Sequence, residues 1–275
     1  MLFAACEKSA DSLPETQMQK TSVKFVISDF SLTRETVGKA GMSTFGVADT
    51  LSNYANNLYY RVYDSSGTLV KSESQSSAQA TFGTVSDTLL QGTYTVVFVA
   101  SKKPLGFANT SLATDHFLDP SNTNWDDIFL KKLTLVVGSS PVNQPVILER
   151  IVAGLQLNVE DDPDDSFPVL TITVESDDST YQLDNLTSAN PVVKTMTSEP
   201  HGANTVFMHV LNTSRPAKVT IRAFDRNFDL VAEKIIDNVR FYPNRKTVFS
   251  GRITEDANLT VTVDPAWIVK EPVQF

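Results

Sequence analysis

The chain has a single cysteine, Cys6, so no intramolecular disulfide can form and stability must come from packed cores. It has three histidines, His116, His201 and His209, widely separated and without an HExxH pattern. That spacing gives no motif for zinc or histidine-base chemistry. Gly-x-Ser-x-Gly, P-loop and GxGxxG patterns are also missing, so no enzyme is expected and no cofactor is called for. Basic residues are outnumbered, 23 against 32 acidic, for a net charge of −9 with no basic cluster. A chain of that sign repels phosphate backbones, which excludes nucleic acid as a partner. No segment approaches the roughly 20 apolar residues of a spanning helix. No long stretch holds a 3.6-residue apolar period, which argues against a helical body.

What the chain does have is period two. The 275 residues are 41% hydrophobic and 20% charged, and much of the remainder is Ser, Thr, Asn and Asp. Small polar side chains of this kind suit the solvent faces and turns of β-sheets. Val23, Phe25 and Ile27 alternate with Lys24, Val26 and Ser28 in a first strand over 22–32. Leu58–Tyr63, the turn Asp64–Gly67 and Thr68–Ser74 form a hairpin. Further strands are expected at 82–90, 90–100, 128–137, 142–148, 151–159, 169–175, 205–211, 218–224, 230–236, 247–253 and 259–263. Residues 102–127 read as a long polar loop, and 48–55 as a short helix. Short strands and turn signals throughout predict an all-β protein of antiparallel sandwiches. The pattern restarts at Ile151 without a Pro/Gly/Ser linker. The expected division is a tether over 1–20, one sandwich over 21–150 and a second over 151–275, packed rigidly together.

At the amino terminus, Ala4 and Ala5 precede Cys6 after an apolar run. This resembles the end of a bacterial lipoprotein signal, in which the cysteine thiol carries the lipid. The polar segment 7–20 that follows cannot form a core and reads as a tether.

Candidate sites are few. The acidic stretch Glu160, Asp161, Asp162, Asp164 and Asp165 offers oxygen ligands to calcium, but lacks the glycine and terminal glutamate of an EF-hand. A solvated turn is the plainer reading. Asp115, Asp119, Asn122, Asn124, Asp126 and Asp127 form a second such loop. Trp125, in polar surroundings, is the preferred glycan-stacking residue.

Four segments together carry a family resemblance: 90–100, 128–137, the L-x-R-x-V-A stretch from Leu148 to Ala153, and the N-x-x-T-x-x-x-G stretch from Asn244 to Gly251, followed by Trp267. In this order they resemble the fimbrillin-type lipoproteins of Bacteroidales. The resemblance implies two tandem transthyretin-like antiparallel β-sandwich domains. It also implies a lipid on Cys6 at the outer membrane, and a role as fimbrial (pilus) subunit, anchor or adhesin. In the family, shaft subunits lose an N-terminal strand to an arginine-directed protease and a neighbouring subunit's strand fills the groove, whereas an uncleaved, lipidated subunit caps or anchors the fibre. Arg34, just past the first strand, is the candidate processing point. Trp267, Ile268, Val269, Val273 and Phe275 are the candidate donor strand. The implied partners are other fimbrial subunits and surface receptors. The alternative is a glycan-binding surface lipoprotein serving nutrient uptake.

Overall fold

The computed structural model describes residues 19–31, 51–121, 124–161, 167–199, 205–256, 258–265 and 267. In chain order the strands are β1 (Lys20–Ser31), β2 (Asn57–Tyr63), β3 (Leu69–Ser76), β4 (Thr84–Leu90), β5 (Gly92–Ser101), β6 (Gly106–Phe107), β7 (His116–Leu118), β8 (Ile128–Val137) and β9 (Val142–Arg150). They continue as β10 (Ala153–Val159), β11 (Val169–Gln182), β12 (Thr187–Ser198), β13 (Thr205–Val210), β14 (Ala217–Phe224), β15 (Leu230–Val239), β16 (Lys246–Gly251) and β17 (Thr260–Asp264). The short helix expected near 48–55 is, within the described residues, one 3-10 turn at Leu51–Asn53.

The first seven-stranded path runs β3-β2-β5-β8-β9-β1-β4. β8 and β9 pair at two positions, Phe129 with Arg150 and Leu130 with Glu149, then part. The sheet turns at that corner, and both arms bury their inner faces in one core. Alternation sets the register: Val23 and Phe25 of β1 are buried, whereas Lys24 and Val26 are exposed. Phe25, Tyr60 and Phe98 meet at its centre with ring centroids 5.1–5.8 Å apart. Each such fully buried side chain contributes about 1.5–3 kcal/mol. The two ends of the path are tied together: the Gln75 side chain donates to the Thr84 carbonyl at 2.8 Å and accepts from the Gly83 amide at 3.0 Å.

A four-stranded sheet, β13-β10-β16-β17, and a six-stranded one, β15-β14-β11-β7-β6 with β12 on the other side of β11, cover a second core. This core is aliphatic, built from Leu155, Leu157, Ile172, Val219 and Ile221 around Phe249. Gly154 lies so close to Phe207 that a Cβ there would sit 2.7 Å from the ring, which explains a glycine inside a central strand.

The stretch 102–127, expected as a loop, contains β6 and β7, and it crosses to the other half of the molecule. His116, Phe117 and Leu118 pair with Gln182, Tyr181 and Thr180 at the end of β11. Phe117 stacks on Tyr181 at 5.4 Å and 17°. Together with Trp125, Val152, Leu183, Leu211 and Trp267 they form a third apolar cluster between the sheets. The link from β9 to β10 is the buried pair Ile151–Val152. Three residues of β7 are too few to show a period, so polarity alone made this stretch look like a loop.

Candidate functional site

β1 stands first in the described chain yet lies inside its sheet, not at an edge. Lys20–Val26 pair antiparallel with Leu90–Thr84 of β4. From Val23 to Ser31 the other side runs parallel to β9, with a register shift between Ile27 and Asp29. The Thr21 hydroxyl donates to the Gly138 carbonyl at 2.6 Å, and the Ile27 amide to the Gly83 carbonyl at 2.9 Å. Inward, β1 contributes Val23, Phe25 and Ile27 to the first core. Without β1, two open edges would flank an apolar slot that an extended segment could fill by main-chain hydrogen bonds and alternate side chains.

Behind this sheet, Arg150 organises the junction. It is 2% exposed and closes β9. Its Nε and one terminal nitrogen donate to the two carboxylate oxygens of Asp127 at 2.7 and 3.0 Å. The other terminal nitrogen donates to Asn244 Oδ1 at 2.9 Å and to the Trp267 carbonyl at 3.2 Å. The guanidinium also lies 4.2 Å from the Trp267 ring centre and 5.0 Å from that of Phe129. Its planar fork thus joins four segments far apart in sequence. An arginine set, beside Glu149, between the apolar runs Val146–Leu148 and Ile151–Ala153 is the sequence signal for such a buried partner.

A second buried pair fastens the 105–119 excursion to β2. Asp115 accepts from Arg61 Nε at 2.9 Å, from the Asn109 amide at 3.2 Å, and from the Tyr63 hydroxyl. Burial, before that hydrogen bond, pushes the Tyr63 phenol above its ordinary range. His209 lies 4.0 Å from Asp127 and meets Phe207 edge-on. Burial holds its pKa below the usual value, so the ring is neutral and serves as packing.

The remaining sequence candidates fall as follows. Trp125, expected to offer an open stacking face, is 4% exposed. Its indole donates to the Asp178 carbonyl at 2.8 Å, and Lys194 lies 5.8 Å from its ring centre. Of the polar residues beside it, Asp127 bonds inward to Arg150, which the linear sequence does not show. Trp267, expected to start a free donor strand, is 7% exposed and packed on Phe207, His209 and Arg150. Cys6, Arg34, Ile268, Val269, Val273, Phe275 and His201 lie outside the described residues. In the first acidic stretch Asp161 is not solvated: it is buried and accepts from the Ile253 amide at 2.5 Å and the Thr254 amide at 3.3 Å. In the second, Asp115 and Asp127 are each consumed by an arginine, and Asp119 accepts from Ser121 at 2.9 Å. Among the described residues no group of three or more His, Cys, Asp or Glu side chains is placed to hold a metal ion.

The class these sheets define is an all-β sandwich protein. The family model described as "Fimbrillin-A associated anchor proteins Mfa1 and Mfa2" matches residues 33–270, and the chain belongs to that family. Solved structures agree in fold. A candidate polysaccharide-binding protein from Bacteroides thetaiotaomicron VPI-5482 aligns with a TM-score of 0.60 at 9% identity, over 90% of this chain and 96% of its own. A candidate adhesin from the same organism gives 0.55 at 12%, over 90% and 96%. The fimbrial anchor protein Mfa2 from Porphyromonas gingivalis gives 0.51 at 10%, over 90% and 98%. Comparison with curated proteins gave no match.

Proposed function

We propose that this chain is a fimbrial subunit or anchor at the cell surface, brought to the outer membrane by a lipid on Cys6. It works by assembly, not catalysis: cut at Arg34, it loses Cys6 together with β1 and a neighbour's strand takes the place of β1, whereas an uncut chain keeps both and anchors the fibre. The observation that carries the reading is the position of β1, early in the chain yet paired on both sides, between β9 and β4. Cutting at Arg34 would free that strand from the body while leaving every pairing partner in place. Membership of the anchor-protein family supports the same role. The glycan reading rested on Trp125, whose ring is buried in the junction.

The test uses the full chain with a specific protease site placed at Arg34. After cleavage, a fluorescent peptide spanning Lys20–Ser31 should enter the groove and displace the cut strand. The same peptide carrying Phe25→Lys should not, because an unpaired ammonium would have to be buried in the core. If the cleaved protein takes up neither peptide, or both equally, strand exchange at this position is wrong.

A further inference from the structure

Taking β1 out of its sheet has unequal consequences for its two neighbours. β9 stays paired at its far end, where Arg150 and Glu149 meet Phe129 and Leu130 of β8. β4 has no such hold: among the described residues, β1 is its one ladder partner. With β1 gone, β4 carries unpaired backbone on both sides and lies two strand spacings from β9, about 9.6 Å. Its inward side chains, Val85 and Leu89, belong to the first core and would face the empty slot. Unpaired backbone and uncovered apolar surface both favour collapse of β4 across the slot, which would shut it against an incoming strand.

Side chains from the opposite arm oppose that collapse along the whole length of β4. At its start, the Gln75 amide on β3 donates to the Thr84 carbonyl at 2.8 Å and accepts from the Gly83 amide at 3.0 Å. One side chain thus offers a donor and an acceptor, as a neighbouring strand would. In the middle, Asp87 accepts from the Tyr60 hydroxyl at 3.3 Å and lies 3.4 Å from Lys71 Nζ, with its own side chain 6% exposed. At the end, the Tyr94 hydroxyl donates to the Leu90 carbonyl at 3.0 Å. These bonds come from β2, β3 and β5, and none of them involves β1.

We infer that these side chains, with Gln75 foremost, form a clasp that holds β4 in place when β1 leaves and so keeps the groove at full width for the next strand. Gln75 is a positioning residue: it acts on the entering strand through β4. The inference rests on the strand-exchange reading for its purpose, but not for its geometry, so the two can be tested apart.

Gly83 supplies an internal control. Its carbonyl accepts from the Ile27 amide at 2.9 Å and so reports β1, whereas its own amide donates to Gln75 and reports the clasp. Amide hydrogen exchange of the uncut full chain reads the two separately. If β1 opens while β4 stays, the Gly83 amide exchanges at least about tenfold more slowly than the Ile27 amide. Uptake of the Lys20–Ser31 peptide by the chain cut at Arg34 is then compared for wild type, Gln75→Ala and Gln75→Glu. The second variant keeps the size of the side chain but sets a carboxylate against the Thr84 carbonyl. Both should take up the peptide about tenfold more slowly, the worth of two neutral hydrogen bonds. Uncut, both should melt close to wild type, because the ladder with β1 still holds β4. Gly83 and Ile27 amides that exchange together overturn the inference, since β1 and β4 then open as one unit. Variants that take up the peptide as fast as wild type overturn it too. A cut wild-type chain that refuses the peptide, although its Gly83 amide outlasts that of Ile27, removes strand exchange and leaves the clasp standing.

Discussion

Replacing Arg150 with alanine should lower the unfolding free energy by about 3–5 kcal/mol, because it strands a buried carboxylate. Asp127 is 3% exposed and takes both of its short, charge-assisted hydrogen bonds from this guanidinium. His209, the nearest other base, is held neutral mainly by burial, so it compensates the lost charge only at a desolvation cost of its own. The Asn244 side chain and the Trp267 carbonyl lose donors as well. Arg150→Lys should recover little, since an ammonium cannot span both carboxylate oxygens and the two neutral acceptors in one plane. The double variant Arg150→Met, Asp127→Leu should recover most of the loss, because removing both charges removes the desolvation cost along with the attraction. Denaturant melts of the four proteins check this. A double variant no better than Arg150→Ala would show that geometry, not charge burial, dominates the site.

The second large effect is a pH dependence centred on Asp177. β11 bulges before it, with Ser176 at φ 67°, and turns its carboxylate into the junction. One oxygen accepts from the Leu211 and Asn212 amides at 2.9 Å each. The other is buried and has no hydrogen-bond partner among the described residues. Burial raises the pKa from 3.8 to about 6, the backbone donors oppose this, and Asp178 adds to it. Lys194 and Arg215 are the nearby cations, the latter already bound to Asp178. A carboxyl whose folded pKa is raised holds its proton more tightly when folded. Its contribution is therefore absent above about pH 6, grows as pH falls toward 3.8, and is complete below that. The interval is worth about 3 kcal/mol. Asp177→Asn cannot titrate, so the stability difference between variant and wild type should change by most of that amount between pH 8 and pH 4, in favour of the wild type at the acid end. A difference that is flat across this range would remove Asp177 as the source.

The strands with clean alternation and long apolar runs, such as β2, β5, β8 and β14, were legible in the sequence because one buried face imposes period two. β12 was not: Asn190 and Pro191 interrupt it, and its Thr-rich faces are exposed along an edge. It exists because β11 offers it a ladder, which is a long-range fact. The junction was half legible. Arg150 sits, beside Glu149, between two apolar runs whose burial could not tolerate it unpaired, whereas the Trp125 indole finds its acceptor 53 residues away. Nothing local to Trp125 distinguishes a tryptophan facing a sugar from one facing a carbonyl.

The most direct test of the central claim places a photo-crosslinking residue at Val85, which faces Phe25 across β1 and β4. Fimbriae bearing this chain are then irradiated on intact cells and the linked peptides sequenced. Exchange at the position of β1 predicts links to a strand of a neighbouring subunit. Links confined to residues 20–31 of the same chain would contradict it.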